Sequence, residues 1–355
     1  MPRAGHRASI LTLAVLLFVT LLAPAVRADN RDVLPWPGAW TSEAGRDHPL
    51  AGQIWSRAAG GIVSAQDYGT ALARSRFILL GENHDNADHH RLQAWAVATV
   101  SKLRGARLVE GAPQADFVAL EMLSEDQGEA LDRFYGRNAR VPRPRSAQDF
   151  GRMLKWETLG WPDYALYEPI VEAAINAYLQ VVPANAAKEE TRRVGREGIA
   201  ALPADEARRL ALDVGLDDAS ATDLVQEIRT SHCDMLPAQA IPNMTMVQRL
   251  RDARMADALM KAGEWKGAFL IAGNGHVRSD RGVPWYLARR GVADAQVTSV
   301  LHVEVTEDKT QLEDYLDGNS GKAADFLVFT PRQPRPDACE EMRRQMEKMR
   351  AQRKP

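Results

Sequence analysis

Cysteine is nearly absent from this chain. Among 355 residues only Cys233 and Cys339 occur. Two thiols make no disulfide framework, so the fold must rest on a hydrophobic core. They leave open a single disulfide, which an oxidising compartment permits, a buried free thiol, or a soft metal ligand at Cys233. Net charge is nearly absent as well: 45 Lys and Arg face 47 Asp and Glu, a formal balance of −2. Nothing in that composition points to nucleic acid as a partner. Repeats and long low-complexity tracts are missing. The one extended apolar run, residues 10–22, is shorter than the ~20 residues a membrane-spanning helix needs. Arg3 and Arg7 precede it and Val26-Arg27-Ala28 follows it, so residues 1–28 read as a signal peptide cleaved before Asp29. No cysteine lies near that point, so a lipoprotein anchor is not expected. The mature chain is expected to be periplasmic or secreted, with no stable membrane span.

What is present is an ordinary globular composition, 45% hydrophobic and 26% charged. Short apolar runs recur at residues 77–80, 117–120, 179–183, 268–272, 297–303 and 326–329 and read as strands. Helical spacing fills most of the intervals, over 86–103, 164–178, 244–262 and 283–290. Ser124-Glu125-Asp126-Gln127 has the form of a capping box opening a helix that runs to Tyr135. Strands alternating with helices imply crossover connections, hence an α/β fold with a mainly parallel sheet flanked by helices. Residues 186–231 hold no strand candidate and read as a smaller helical insertion. The expected organisation is an irregular N-terminal arm over 29–61, packed through its tryptophans, an α/β domain over 62–330, and a charged C-terminal tail over 331–355. Residues 136–160 read as a loop near the site.

Two segments carry most of the chemistry. Phe77-Ile78-Leu79-Leu80-Gly81-Glu82-Asn83-His84 and Ala268-Phe269-Leu270-Ile271-Ala272-Gly273-Asn274-Gly275-His276 share one form: apolar strand, Gly, two residues, His. In an open α/β sheet such turns lie where ligands bind, outside the carboxyl ends of the strands. Glu82, His84 and His276, with Glu121 closing the run 117–120, form a candidate set for a divalent metal ion. The same four residues suit general acid–base work in a hydrolase. His89 and His90 open the helix after the first turn, and Arg278 could fork onto a carboxylate or phosphate. Tyr164 and Tyr167 lie in the densest aromatic stretch, residues 156–169, and a tyrosinate can ligate ferric haem.

Taken in order, these motifs resemble the ChaN-like haem-binding uptake family of the Tiki superfamily. The resemblance rests on Gly81-Glu82-Asn83-His84-Asp85-Asn86 with His89-His90, on Val118-Ala119-Leu120-Glu121-Met122, and on Trp161-Pro162-Asp163-Tyr164 with Tyr167-Glu168-Pro169. It continues through His232-Cys233, Gln248-Arg249-Leu250-Arg251-Asp252 and Gly273-Asn274-Gly275-His276-Val277-Arg278, over roughly residues 62–303. It implies a parallel sheet with flanking helices, and haem as the cofactor, held through tyrosine and histidine in a homodimer, in connection with haem or iron uptake. Haem-binding candidates are then His84, His89, His90, Tyr164, Tyr167 and Arg278. The wider superfamily includes metal-dependent peptidases and erythromycin esterases, so the alternative is a Glu/His hydrolase acting on an ester or peptide bond.

Overall fold

The computed structural model describes Met1 and residues 32–105, 116–136, 146–261, 267–316 and 320–352. Two short strands, β1 (Ile54–Ser56) and β2 (Gly61–Val63), precede helix α1 (Ala65–Arg74). Strand β3 (Phe77–Glu82) leads into α2 (Ala87–Arg104), and β4 (Asp116–Ser124) into α3 (Gly128–Tyr135). Helices α4 (Ala147–Leu154) and α5 (Tyr164–Asn176) lead to β5 (Gln180–Asn185). A helical stretch follows: α6 (Lys188–Glu197), α7 (Ala204–Arg209), α8 (Asp218–Ser231) and α9 (Ile241–Met260). The chain then runs through β6 (Gly267–Gly273), α10 (Val283–Arg289), β7 (Val297–Glu304), α11 (Glu313–Leu316), α12 (Ser320–Ala323), β8 (Phe326–Thr330) and α13 (Ala338–Gln352). Among the described residues no helix is long and apolar enough to cross a membrane.

The eight strands among the described residues join one sheet in the order β2-β1-β8-β7-β3-β6-β4-β5. Pairing is parallel from β8 through to β5, and antiparallel only where β1 meets β8 and β2. Helices cover both faces, which is why the central strands read as unbroken apolar runs. Phe77 and Leu79 face one core, with Ala268, Leu270 and residues of α9 and α10. Ile78 and Leu80 face the other, with Phe269, Ile271 and residues of α1, α2 and α5. Each such side chain, fully buried, contributes roughly 1.5–3 kcal/mol.

This layering fixes where a ligand site can form. Strands β3 and β6 are neighbours, but the helix after β3 lies on one face and the helix after β6 on the other. Their C-terminal turns therefore part, and a crevice opens between them.

Several sequence-based expectations change. The arm read over 29–61 contains β1, and β2 follows at once, forming a hairpin that docks on β8. Trp36 does pack on the body, edge-on to Trp95 with ring centres 4.8 Å apart. Part of the loop read over 136–160 is helix α4, opened by Ser146 in a capping box with Asp149; residues 137–145 lie outside the described residues, as do residues 2–31, which include all but Met1 of the expected signal peptide 1–28. Cys233 and Cys339 are joined in a disulfide with Cα atoms 5.5 Å apart, so neither is a free thiol or a metal ligand.

Candidate functional site

The parallel register of β3 and β6 sets Gly81 beside Ala272 and Glu82 beside Gly273. Gly81 is required there, since a Cβ would collide with Asn274 Oδ1 and press on Val277 and the Val300 carbonyl. Asn274 clips the second turn to the first: its N–H donates to the Glu82 carbonyl at 2.9 Å. Its side-chain amide also donates to the His302 carbonyl at 2.8 Å. The two Gly-x-x-His turns thus meet.

Glu121 is the residue between them. Its Oε2 accepts the Gly273 N–H at 2.7 Å and lies 3.8 Å from His84 Nε2. Its Oε1 faces His276 Nε2 at 3.3 Å and also accepts from Arg251. His276 Nδ1 donates to Asp252 Oδ1 at 2.6 Å. On the other side, His84 Nδ1 donates to Glu82 Oε1 at 2.7 Å. The Tyr167 hydroxyl donates to the same oxygen at 3.0 Å. The result is a continuous acid–imidazole chain from Asp252 to Glu82.

All of these acids are buried, so each must be held by partners. Burial alone would raise the Glu121 carboxyl, but His276 and Arg251 outweigh it and hold it well below the usual carboxylate range. Burial would likewise raise Glu82, which His90 and His84 pull down. Burial disfavours the His276 imidazolium, yet the charges of Glu121 and Asp252 raise its pKa to about 9. His84 is raised too, its bond to Glu82 and the charges of Glu121 and Glu82 overcoming burial. Its side chain is 32% exposed, against 5% for His276, so His84 is the imidazole at the mouth. There it lies against Trp161, ring centres 4.9 Å apart. A cleft of about 180 Å³ opens alongside, lined among others by Glu121, Met122, Leu159, Trp161 and Lys188.

Residues 70–287 match the model of the family described as haem-binding uptake, Tiki superfamily, ChaN. The chain belongs to that family. Its fold is similar to that of ChaN from Campylobacter jejuni, in a structure of cofacial haem binding, with a TM-score of 0.58 over 78% of this chain and 95% of that one. The two are 20% identical, so the likeness is one of fold. Weaker likenesses join it to the type III effector HopBA1 (TM-score 0.39, 11% identity, 75% of this chain and 92% of that one) and to the erythromycin esterase EreC (0.35, 12%, 76% and 94%). Neither bears on the site. No protein of curated function matches the sequence.

Within this ChaN-family fold, Glu82, His84, Glu121 and His276 come together. Among the described residues no group of three His, Cys, Asp or Glu side chains is arranged to hold a metal ion. His90 and Tyr167 join the cluster from behind, both buried. His89 does not: its Nδ1 accepts the Asn83 N–H at 2.9 Å and its Nε2 meets Thr330 Oγ1 at 2.9 Å. Burial holds its pKa well below the usual value for histidine. Tyr164 donates to the Ala147 carbonyl at 2.5 Å, and Arg278, which shares a cavity wall with Glu82, is paired with Asp280 and Asp223. Asp252, Arg251 and Trp161 complete the site although sequence reasoning gave none of them a role. For the first two the available signal was a polar stripe, Gln248 with Arg251 and Asp252, at helical spacing.

Proposed function

We propose that this chain is an exported haem- or iron-binding protein, linked to haem or iron uptake, in which His84 is the imidazole offered to the iron. The observation that carries this reading is the bond from His84 Nδ1 to the buried carboxylate of Glu82. A ligating histidine commonly donates its second ring nitrogen in this way, which fixes the tautomer and leaves Nε2 as the lone-pair donor. The cleft chemistry fits the group: Met122, Leu159 and Trp161 suit a flat apolar macrocycle, and Lys188 suits its carboxylates. At about 180 Å³ the cleft is below the ~300 Å³ of pockets that enclose a ligand. Haem would therefore rest against an open face, which leaves its far side for a second copy of the chain. Bound haem supplies a redox-active iron. Tyr164 and Tyr167, with hydroxyls engaged inside the fold, are not assigned to it.

Titration of the mature chain with ferric haem is expected to give a saturable Soret shift, weakened roughly 10–100-fold by His84→Ala. A wild-type chain without saturable binding overturns the reading, and unchanged affinity in the variant moves the ligand elsewhere. Export is checked by the N-terminus of the periplasmic protein, expected at Asp29.

One observation favours a second reading, a Glu/His hydrolase. His84 Nε2 and Glu121 Oε2 stand 3.8 Å apart, and Gly273 leaves room before that nitrogen. A water there would lose its proton to His84, while His276 and Arg251 would stabilise developing negative charge. Glu82→Gln should then abolish turnover of an ester or peptide substrate with the fold intact.

A further inference from the structure

Glu82 accepts two hydrogen bonds on Oε1, while Gln93 acts on the carboxylate from α2. His84 Nδ1 at 2.7 Å and the Tyr167 hydroxyl at 3.0 Å both donate to Oε1, whereas Oε2 has no hydrogen-bond partner. The His90 ring faces Oε2. Its Nδ1 lies 3.5 Å away and is likewise without a hydrogen-bond partner. The other nitrogen of His90 donates to the His84 carbonyl at 3.1 Å. Tyr167 is fully buried, so no bulk water competes for its hydroxyl. Facing a carboxylate oxygen and a carbonyl oxygen, that hydroxyl can only donate. Among the described residues its other hydrogen-bond acceptor is the His84 carbonyl at 3.3 Å.

We infer that Tyr167 is a positioning residue that sets the donor strength of His84, by sharing the single carboxylate oxygen to which the His84 Nδ1–H is bonded. Two donors on one oxygen divide its charge, so each bond is weaker than it would be alone. A stronger Nδ1–H bond makes the imidazole more basic at Nε2, which favours ferric over ferrous iron. Tyr167 therefore tempers His84, and the hydroxyl does so without touching the ligand. The consequence for iron rests on the haem reading; the sharing itself does not, because it belongs to the ligand-free protein.

The test separates the two. In the ligand-free protein, Tyr167→Phe is expected to move the His84 Nδ1–H proton resonance downfield, as the bond to Glu82 tightens. Site-specific 3-fluorotyrosine at position 167, a stronger donor of nearly the same volume, is expected to move it upfield. In the haem-loaded protein, Tyr167→Phe is expected to raise the ratio of ferric to ferrous haem affinity roughly threefold or more. A resonance that stays in place or moves the opposite way overturns the inference. Should the Phe variant fail to fold, the fluorinated protein decides alone. A resonance that shifts as expected in a chain that binds no haem upholds the sharing and removes the haem reading. Loss of haem binding in Tyr167→Phe with the resonance unmoved would place the hydroxyl on the iron and also overturn it.

Discussion

Glu121 is the residue on which the site's charge balance turns. It is 1% exposed and faces buried His276 and half-buried Arg251, so removing its carboxylate leaves His276 with Asp252 as its remaining carboxylate partner and takes the ion partner of Arg251. Glu121→Ala is expected to destabilise the fold by roughly 3–5 kcal/mol, the usual consequence of breaking a buried pair from one side, measured by urea unfolding. His276 sets a pH dependence of opposite sense to the carboxylates. Its pKa is raised from 6.5 to about 9 in the folded protein. The stability it contributes is full below the unfolded value and lost as pH rises through the folded one. Unfolding free energy should fall between pH 6.5 and 9 by on the order of 3 kcal/mol, and His276→Gln should flatten that slope. Gly273 tests access to His84. A Cβ there would stand 3.1 Å from Nε2 and 3.4 Å from Cε1, so Gly273→Ala should weaken ferric-haem binding roughly tenfold or more while thermal unfolding shifts little. Equal loss of stability and binding would mean that the gap is packing space rather than ligand space.

At the scale of elements, helix α2 shows how one side chain ties local and tertiary structure together. Asn86 caps it by accepting the N–H groups of Asp88 and His89. Its amide nitrogen donates to Glu304 at 2.6 Å and to the Pro331 carbonyl at 3.1 Å. Asn86→Ala should therefore lose about 2–3 kcal/mol, more than the ~1 kcal/mol of a cap alone, and hydrogen exchange should quicken in the first turn of α2. That helix was legible in the sequence because Leu92, Trp95, Ala96, Thr99 and Val100 mark one side of it. Strands β3 and β6 were legible because burial on both faces leaves an unbroken apolar run. Strands β1 and β2 were not. Three residues are too few to show alternation, and their pairing with β8 is imposed from outside the segment. Helix α4 was hidden by neighbouring Pro142, Pro144 and a cluster of arginines, which together look like loop. The meeting of the two Gly-x-x-His turns was legible from their shared form. The contribution of Asp252 was not, since a carboxylate in mid-helix looks solvated until the fold turns that face inward.

Across the whole molecule, the C-terminal segment and the disulfide decide what unfolds together. From β8 onward the chain is anchored by the Arg332 N–H to the Ala44 carbonyl at 2.8 Å and the Gln333 N–H to Glu304 at 3.1 Å. Arg335 then forks across Asp85 and Glu304, with contacts of 2.6 and 2.7 Å. None of these bonds needs the Cys233–Cys339 bridge, whereas α13 beyond Cys339 is rich in charge and poor in apolar residues. The bridge closes a sequence separation of 106 residues, for which chain entropy gives a stabilisation of about 4–5 kcal/mol if the whole loop unfolds as one unit. If α13 frays on its own first, that constraint acts on a segment already loose and the benefit shrinks. The anchoring argues for the second course. Reduction, or Cys339→Ser, should abolish exchange protection over Ala338–Gln352, leave residues 331–335 and strands β3 and β6 protected, and lower global stability by less than about 3 kcal/mol. Loss of protection in β3 together with the tail would show instead that the bridge belongs to the cooperative core, and that the turn carrying His84 depends on it.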